Sequence, residues 1–453
     1  MTKSPYSLPP VKTKRDELAA QEHAVAIALR TIEQDIAQGE LQRAATALNT
    51  LQTEHPSDAR VYIAGWMLAA KAENSAAAVT SARRATELAP MSPLGWDCLH
   101  RAHIANGNVA AAREAIEQAL VLAPANLAYR EQAINLAMQQ ADYATGERHL
   151  RVAYGQNPKL PHLKAMIGNT LRYQEKFDEA VEWLAEALAD DMDDPDAHQG
   201  LALIEYQRGN SERALASLDA ALKVRPDDES LRYLRSVVAG EKPAQQPAAM
   251  VRSLFERYAN RFDHHLVGAL KYRVPQQIAG MIVERFPDRT LNLLDLGCGT
   301  GLLGAALGPI NGYFVGVDLS QAMIEQARRH GVYSRFHLVD IAEALAATDA
   351  NEYEVIVAAD VLVYIGDITR ILRDAFKVLR PGGWLFFSCE KASNSAVPYQ
   401  IEKSMRYSHG VDHVHQSLDA SGFTEMTISD IGLRAEGDTM IPGFLVATRK
   451  PPS

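Results

Sequence analysis

The sequence predicts a multidomain chain: an all-α solenoid of helical hairpins at the N-terminal side, followed by an α/β domain with a doubly wound parallel sheet. Three observations predict it. A period of 34 residues runs through the first half. The segment GEKPAQQPAA at 240–249, with its two prolines, glycine and polar residues, ends that pattern. Beyond it, apolar runs of strand length alternate with helical patterns, as βα units do.

Length and composition fit this division. At about 150 residues per domain, 453 residues support two to four domains. Hydrophobic residues make up 47% and charged residues 23%, which excludes a mostly disordered chain. The net charge of -10 gives no whole-molecule attraction to a phosphate backbone, which argues against a nucleic-acid partner. Cys98, Cys298 and Cys389 are too scattered for a disulfide framework, a zinc knuckle or an iron–sulfur cluster. No run of 18 or more apolar residues is present, so no membrane span is expected. The basic start MTKSPYSLPPVKTKRDE has no apolar core behind it, unlike a secretory signal. A reducing, cytoplasmic setting is the expectation.

The period is counted from Val25. Successive units begin at Val25, Ala59, Pro93, Leu127, Pro161 and Pro195, without insertions. The twentieth position is always small: Ala44, Ala78, Ala112, Gly146, Ala180 and Ala214. The thirty-second is proline in all but one unit: Pro56, Pro90, Pro124, Pro158, Met192 and Pro226. Small residues let two helices of a unit touch, and a proline after the second helix stops it. One such unit cannot bury its own apolar face, so neighbours must stack. This pattern resembles the tetratricopeptide repeat, over about 25–228, with a capping helix expected at 228–238. The resemblance implies either a structural array or a groove for a protein partner. Tyr62, Trp96, Arg130, Lys164 and His198 share the fourth position of successive units; they either face that partner or lie between units. The expected domains are an extension at 1–24, the solenoid at 25–239, a linker at 240–249 and the second domain at 250–450, with a helical cap at 250–286.

In the second domain the first strand runs into Leu294-Asp295-Leu296-Gly297-Cys298-Gly299-Thr300-Gly301. Glycines there let a ligand approach the backbone closely. A second strand ends at Asp318, 23 residues after Asp295, where a carboxylate can accept hydrogen bonds from ribose hydroxyls. Residues 299–304 also match the GxGxxG dinucleotide pattern. Charge separates the two cofactor classes. Asp295 repels a pyrophosphate, and no Lys or Arg lies between Leu291 and Pro309 to offset it. S-adenosyl-L-methionine carries a sulfonium and an ammonium, which suit that carboxylate.

LDLGCGTG followed by GVDLS resembles the first two motifs of class I S-adenosylmethionine-dependent methyltransferases. His337-Leu338-Val339-Asp340, Ala358-Ala359-Asp360-Val361-Leu362 and Leu379-Arg380-Pro381-Gly382-Gly383 resemble its later strand ends and turn. The resemblance covers about 250–450 and implies a Rossmann-like, seven-stranded sheet ending in an antiparallel hairpin near 423–429 and 443–448. It further implies that Asp295, Gly297 and Cys298 border the methionine part of the donor and that Gly299 and Gly301 allow its approach. Asp318 would hold the ribose, with Leu319 or Met323 against the adenine. Asp340 and Ile341 would meet the adenine, although Asp340 also suits a helix N-cap. Asp360 and Val361 would border both donor and acceptor. The segment at 254–275 resembles the helical cap of some small-molecule methyltransferases, which makes Tyr258 and Arg273 candidates to touch donor or acceptor. Cap, motifs and repeats together look like bacterial repeat-containing methyltransferases.

The acceptor wall is expected at 360–364 and in the insertion after the fifth strand. His409 is the candidate general base or acceptor-positioning group, because an imidazole titrates near neutral pH. Tyr364 and Arg406 are candidates to position the acceptor, Arg406 by pairing with a carboxylate or phosphate. An exposed amphipathic helix is the plainer reading of 406–415. His409, Asp412 and His413 lack a further ligand, so no metal is expected. Arg434 and Glu436 border the same pocket or form a surface ion pair. The sequence Ala-Asp-Val-Leu-Val-Tyr at the fourth-strand end lacks the Pro-Pro-Tyr associated with methylation of planar nitrogens. An O-directed transfer to a small molecule, or to a group on a peptide or carrier, is the expectation. A non-catalytic repeat scaffold with a degenerate donor-binding domain and a nucleotide-dependent oxidoreductase are the alternatives.

Overall fold

The computed structural model describes residues 14–258, 272–436 and 439–452. Its N-terminal part is a run of helices: α1 (Lys14–Gln38), α2 (Leu41–Glu54), α3 (Ala59–Lys71), α4 (Ser75–Leu88), α5 (Pro93–Ala105), α6 (Val109–Leu122), α7 (Leu127–Gln139), α8 (Tyr143–Gln156), α9 (Leu163–Tyr173), α10 (Phe177–Asp190), α11 (Pro195–Gln207), α12 (Ser211–Val224) and α13 (Glu229–Val238). The chain divides into two compact units. One holds Met1–Ala137 with Arg148–Lys159, and the other holds Met138–Glu147 with Leu160–Ser453.

Within each unit the 34-residue period has a physical counterpart. Ala44, Ala78, Ala112, Ala180 and Ala214 are all buried, where any larger side chain would separate the paired helices. Asn74 and Asn108 cap the second helix of their hairpins, while Asp58, Asp194 and Asp228 cap helices that open a unit. The fourth-position stripe has a structural role. Tyr62 Oη donates to the carbonyl of Pro56 (3.1 Å), Trp96 Nε1 to Pro90 (2.9 Å) and Arg130 Nη2 to Pro124 (2.6 Å). His198 Nε2 meets the carbonyl of Met192 at 2.9 Å. Different donor chemistries thus serve one purpose, satisfying a carbonyl just past the preceding helix. Lys164 instead pairs with Glu186 and Asp190.

The rest of the second unit carries α14 (Ala248–Tyr258), α15 (Val274–Arg285), β1 (Leu293–Leu296), α16 (Leu302–Leu307), β2 (Phe314–Asp318), α17 (Gln321–Arg328), β3 (Arg335–Leu338), α18 (Ile341–Ala347), β4 (Tyr353–Ala358), α19 (Thr369–Val378), β5 (Leu379–Lys391), β6 (Tyr399–Ile401), β7 (Tyr407–His409), α20 (Val411–Ser421), β8 (Thr424–Glu436) and β9 (Thr439–Arg449). Strands β3, β2, β1, β4 and β5 run parallel in that order, with Asp295 beside Gly316 and Val357. β9 adds antiparallel to β5, and β8 pairs with β9. Apolar cores cover both faces of the sheet: Leu294, Val317, Ile356 and Leu372 belong to one, Leu293, Phe314, Phe386 and Ile278 to the other. That two-sided burial explains the nearly continuous apolar strands.

Two features depart from the expectation. The insertion after β5 is not one helix. It forms the hairpin β6–β7, which continues the sheet beyond β5, and only then α20. The segment 240–249, expected as a linker, is hydrogen-bonded to the second domain from Lys242 to Gln246, and α14 already begins at Ala248. The carbonyls of Lys242 and Pro243 accept from Tyr399 Oη (2.8 Å) and Tyr407 Oη (2.9 Å). The carbonyl of Ala244 accepts from the N–H groups of Gly366 and Asp367, and Gln245 bridges to Ile365.

Candidate functional site

The parallel strands deliver their carboxyl ends to one crevice, where open α/β sheets place ligands. The loop after β1 turns on left-handed glycines. Gly297 has φ +68°, and a Cβ there would lie 2.5 Å from Val361 Cγ2, so no other residue fits. The Gly299 N–H donates to Asp318 Oδ2 (2.9 Å), while the Ser320 N–H donates to Oδ1 (2.9 Å). These bonds lock the end of β2 to the glycine loop.

A cavity of about 500 Å³ opens above these strand ends. At one end its walls are Asp295, Gly297, Cys298, Gly299, Thr300, Asp318, Leu319, Asp340 and Ile341. Asp360 and Val361 follow, and Tyr364, Arg406, Arg434, Gln245 and Gln246 form the other end. Helix α14 adds Val251, Leu254 and Phe255; the Phe255 ring meets Tyr364 edge-on at 5.4 Å. Glu256 on the same helix accepts from Ser320 Oγ (2.9 Å) and so ties α14 to the start of α17.

Charge is segregated along this cavity. Burial pushes the Asp295 carboxyl up to about 7, partly offset by the Tyr333 hydroxyl and reinforced by Asp318. Burial also raises Asp318, against the lowering effect of the Ser320 and Gly299 N–H groups. The Cys298 thiol is held well above its ordinary value by burial and by both carboxylates, so it stays a neutral thiol. At the far end, Arg434 is 2% exposed. Its Nη1 donates to both oxygens of Asp360 (3.0 and 3.1 Å), and its Nη2 to Glu390. Asp360 sits at φ +55°, with its N–H donating to Ser388 Oγ. Burial raises the Tyr364 phenol, while the charge of Arg406 beside it acts in the opposite direction.

Most residues singled out from the sequence line the cavity: Asp295, Gly297, Cys298, Gly299, Asp318, Leu319, Asp340, Ile341, Asp360, Val361, Tyr364 and Arg406. Asp340 also caps α18 through the Ala342 N–H (2.8 Å). Gly301 is the left-handed cap of α16 behind the wall. Met323 is fully buried in α17 and does not line the cavity; Leu319 does. Arg273 is exposed at the start of α15, and its neighbour Tyr272 lines the cavity instead. The side chains of Tyr258 and Glu436 lie outside the described residues.

His409 requires a correction. It stands on β7 rather than on a helix, is 0% exposed and does not line the cavity. Its Nε2 faces the carbonyls of Ile365 (2.9 Å) and Gly366 (3.2 Å) and therefore carries the proton. Burial lowers its pKa to about 4. An imidazole committed in this way is out of an acceptor's reach. Reasoning from sequence missed Tyr272, Gln245, Gln246 and Tyr333. Only Tyr272 carried a signal, as part of the segment already compared with a helical cap.

Comparisons with known proteins find similarity in both parts of the chain. Residues 294–385 match the family model described as a methyltransferase domain, and 171–237 match that of the tetratricopeptide repeat. A ubiquinone biosynthesis O-methyltransferase of Bordetella avium is 26% identical over 210 residues, which is 41% of this chain and 84% of that protein. The protein of the same name from Hydrogenovibrio crunogenus is 35% identical over 100 residues, covering 21% of this chain and 41% of its own length. For that of Bordetella pertussis the chain spans half of the relative's length. Among solved structures, the 1,6-didemethyltoxoflavin-N1-methyltransferase of Burkholderia thailandensis, with bound S-adenosylhomocysteine, aligns at TM-score 0.37 and 19% identity. It covers 47% of this chain and 93% of that one. The chain thus carries an S-adenosylmethionine-dependent methyltransferase domain of the Rossmann-like class, joined to N-terminal tetratricopeptide repeats.

Proposed function

We propose that the chain methylates an oxygen of a small molecule, or of a group on a peptide or carrier, and that its repeats recruit that substrate or a protein partner. One observation carries this reading. A single cavity joins a carboxylate-lined end at the glycine loop to a far end furnished with Tyr364, Arg406 and the Arg434–Asp360 pair. The residues at the first end fit S-adenosylmethionine. Asp295 and Asp318 suit its positive charges, and Leu319 and Ile341 offer apolar surface to a base. Among the described residues no Lys or Arg lines that end, so a diphosphate finds no countercharge there.

When bound, the donor supplies a methyl group on a cationic sulfur. The chain's own residues hold the acceptor oxygen in line and manage its proton. In this reading the Asp360 carboxylate accepts the hydrogen bond of the acceptor hydroxyl. Tyr364 and Arg406 orient the remainder of the molecule, and the role considered for His409 passes to Asp360.

Calorimetry on the full-length chain tests the donor site. S-adenosylhomocysteine binds in the micromolar range, Asp318→Ala weakens it at least tenfold, and NADH does not compete. Absence of binding by the intact chain would remove the proposal. Binding without any labelled product, after isotopically labelled donor is incubated with cell extracts, would favour the non-catalytic scaffold.

A further inference from the structure

The geometry points to Gln246 as a positioning residue that fixes Arg406 in the acceptor wall, with the last helix of the repeat region as its anchor. This rests on the reading of the Arg406 end of the cavity as the acceptor end.

Arg406 reaches the cavity from the tight turn between β6 and β7. In that turn the Met405 N–H donates to the carbonyl of Glu402 (2.8 Å), and the Glu402 N–H donates to that of Arg406 (2.8 Å). Met405 is in the left-handed region at φ +64°, a conformation unfavourable for a residue with a side chain unless its surroundings impose it. The surroundings are specific. Gln246 Nε2 donates to the Met405 carbonyl at 2.6 Å, and the Tyr233 hydroxyl of α13 approaches the same oxygen at 3.5 Å. That carbonyl belongs to the peptide linking Met405 to Arg406, so holding it sets the direction in which Arg406 leaves the turn.

Gln246 is itself held. It is 7% exposed, and its backbone N–H donates to the carbonyl of Tyr364 (3.0 Å), the residue beside Arg406 in the wall. Behind the turn, Tyr407 belongs to one apolar core with Leu218 of α12 and Leu231 and Leu234 of α13; Ile401 and Met405 pack against it. The acceptor wall and the end of the repeat region are therefore one packed body, with Gln246 and Tyr233 as polar contacts to the turn. A turn carrying a left-handed methionine returns to an ordinary conformation once its carbonyl is released, and Arg406 turns away with it.

Amide hydrogen exchange and arginine labelling on the full-length chain test the inference. Gln246→Met keeps the size of the side chain and removes the donor. Exchange across 402–407 is expected to rise at least tenfold. Arg406 should react with phenylglyoxal about tenfold faster while Arg434 reacts at its wild-type rate. Tyr233→Phe, outside the cavity wall, should produce the same pattern at about threefold. S-adenosylhomocysteine affinity should stay within twofold in Tyr233→Phe. Unchanged exchange at 402–407, or equal acceleration of Arg406 and Arg434, overturns the inference, the latter because it signals general loosening. Failure of the wild-type chain to bind S-adenosylhomocysteine strikes the methyltransferase reading instead, and the exchange result still decides whether Gln246 holds the turn.

Discussion

The Tyr333 hydroxyl donates a 2.7 Å hydrogen bond to Oδ2 of Asp295; among the described residues, this is the side-chain hydrogen bond that lowers this buried carboxyl's pKa. The ring is held by Phe314 and Phe336, at 4.2 and 4.8 Å between centroids. Tyr333→Phe keeps that packing and removes the donor to Asp295, together with the acceptor of the Gly304 N–H (3.3 Å). A hydrogen bond to a charged group contributes about 1.5–3 kcal/mol. Asp295 should therefore hold its proton to higher pH, and S-adenosylhomocysteine affinity at pH 7.5 should fall roughly tenfold by calorimetry, a factor set by that energy range. Unaltered affinity would mean that Asp295 does not face the ammonium that S-adenosylhomocysteine shares with the donor.

The pH dependence of donor binding has a definite sign. With the free-chain carboxyl of Asp295 pushed up to about 7, the group is largely protonated below that pH. A cationic ligand prefers the carboxylate, so binding below pH 7 must release a proton. Affinity should fall as pH falls, by up to about tenfold per unit, and level off above about pH 8. Calorimetric heats in buffers of different ionisation enthalpy measure the released proton directly. Asp295→Asn should bind more weakly at every pH and flatten the profile.

The parts of this molecule that could be read in its sequence are those whose physics is local. The alanines at 44, 78 and 112 repeat because two helices touch there, and LDLGCGTG constrains a backbone within eight residues. The ends of β1, β2 and β4 followed from such patterns, and so did much of the cavity wall. The misplaced residues depend on long-range pairing. His409 and His413 look like helix neighbours by spacing, but residues 407–409 pair with β5 and β6, and only sheet pairing puts them there. Met323 and Leu319 are both apolar and near Asp318, and only the turn into α17 decides which of them faces the cavity. Gln246 gave no signal, because its importance lies in a carbonyl 159 residues away.

His409 predicts a stability effect rather than a catalytic one. Its folded-state pKa is lowered to about 4, against 6.5 for the ordinary group. The folded chain therefore binds this proton less readily than the unfolded chain. The stabilising contribution is fully present above about pH 6.5 and is lost as pH falls toward 4. Substituting His409→Gln should lower the unfolding temperature at pH 7.5 and shrink its decline between pH 6.5 and 4.5, as read by differential scanning calorimetry. The pH profile of methyl transfer should not carry an inflection that disappears in this variant; such a loss would restore His409 as a base.

Arg434 gives the sharpest mutational test of the acceptor end. It is buried between Asp360 and Glu390 at the cavity wall, so its removal takes away the countercharge these two carboxylates share. Breaking a buried ion pair from one side costs about 3–5 kcal/mol. Arg434→Met should destabilise the chain by that order in thermal unfolding. Arg434→Lys should restore only part of it, because a single ammonium cannot repeat the fork that reaches both partners. Neutralising the carboxylates in the Met background, with Asp360→Asn and Glu390→Gln, should recover much of the lost stability, since the penalty is unpaired charge rather than missing volume. The same triple variant should still bind S-adenosylhomocysteine but transfer no methyl group. Recovery of turnover along with stability would show that Asp360 holds the fold at this point and takes no part in handling the acceptor's proton.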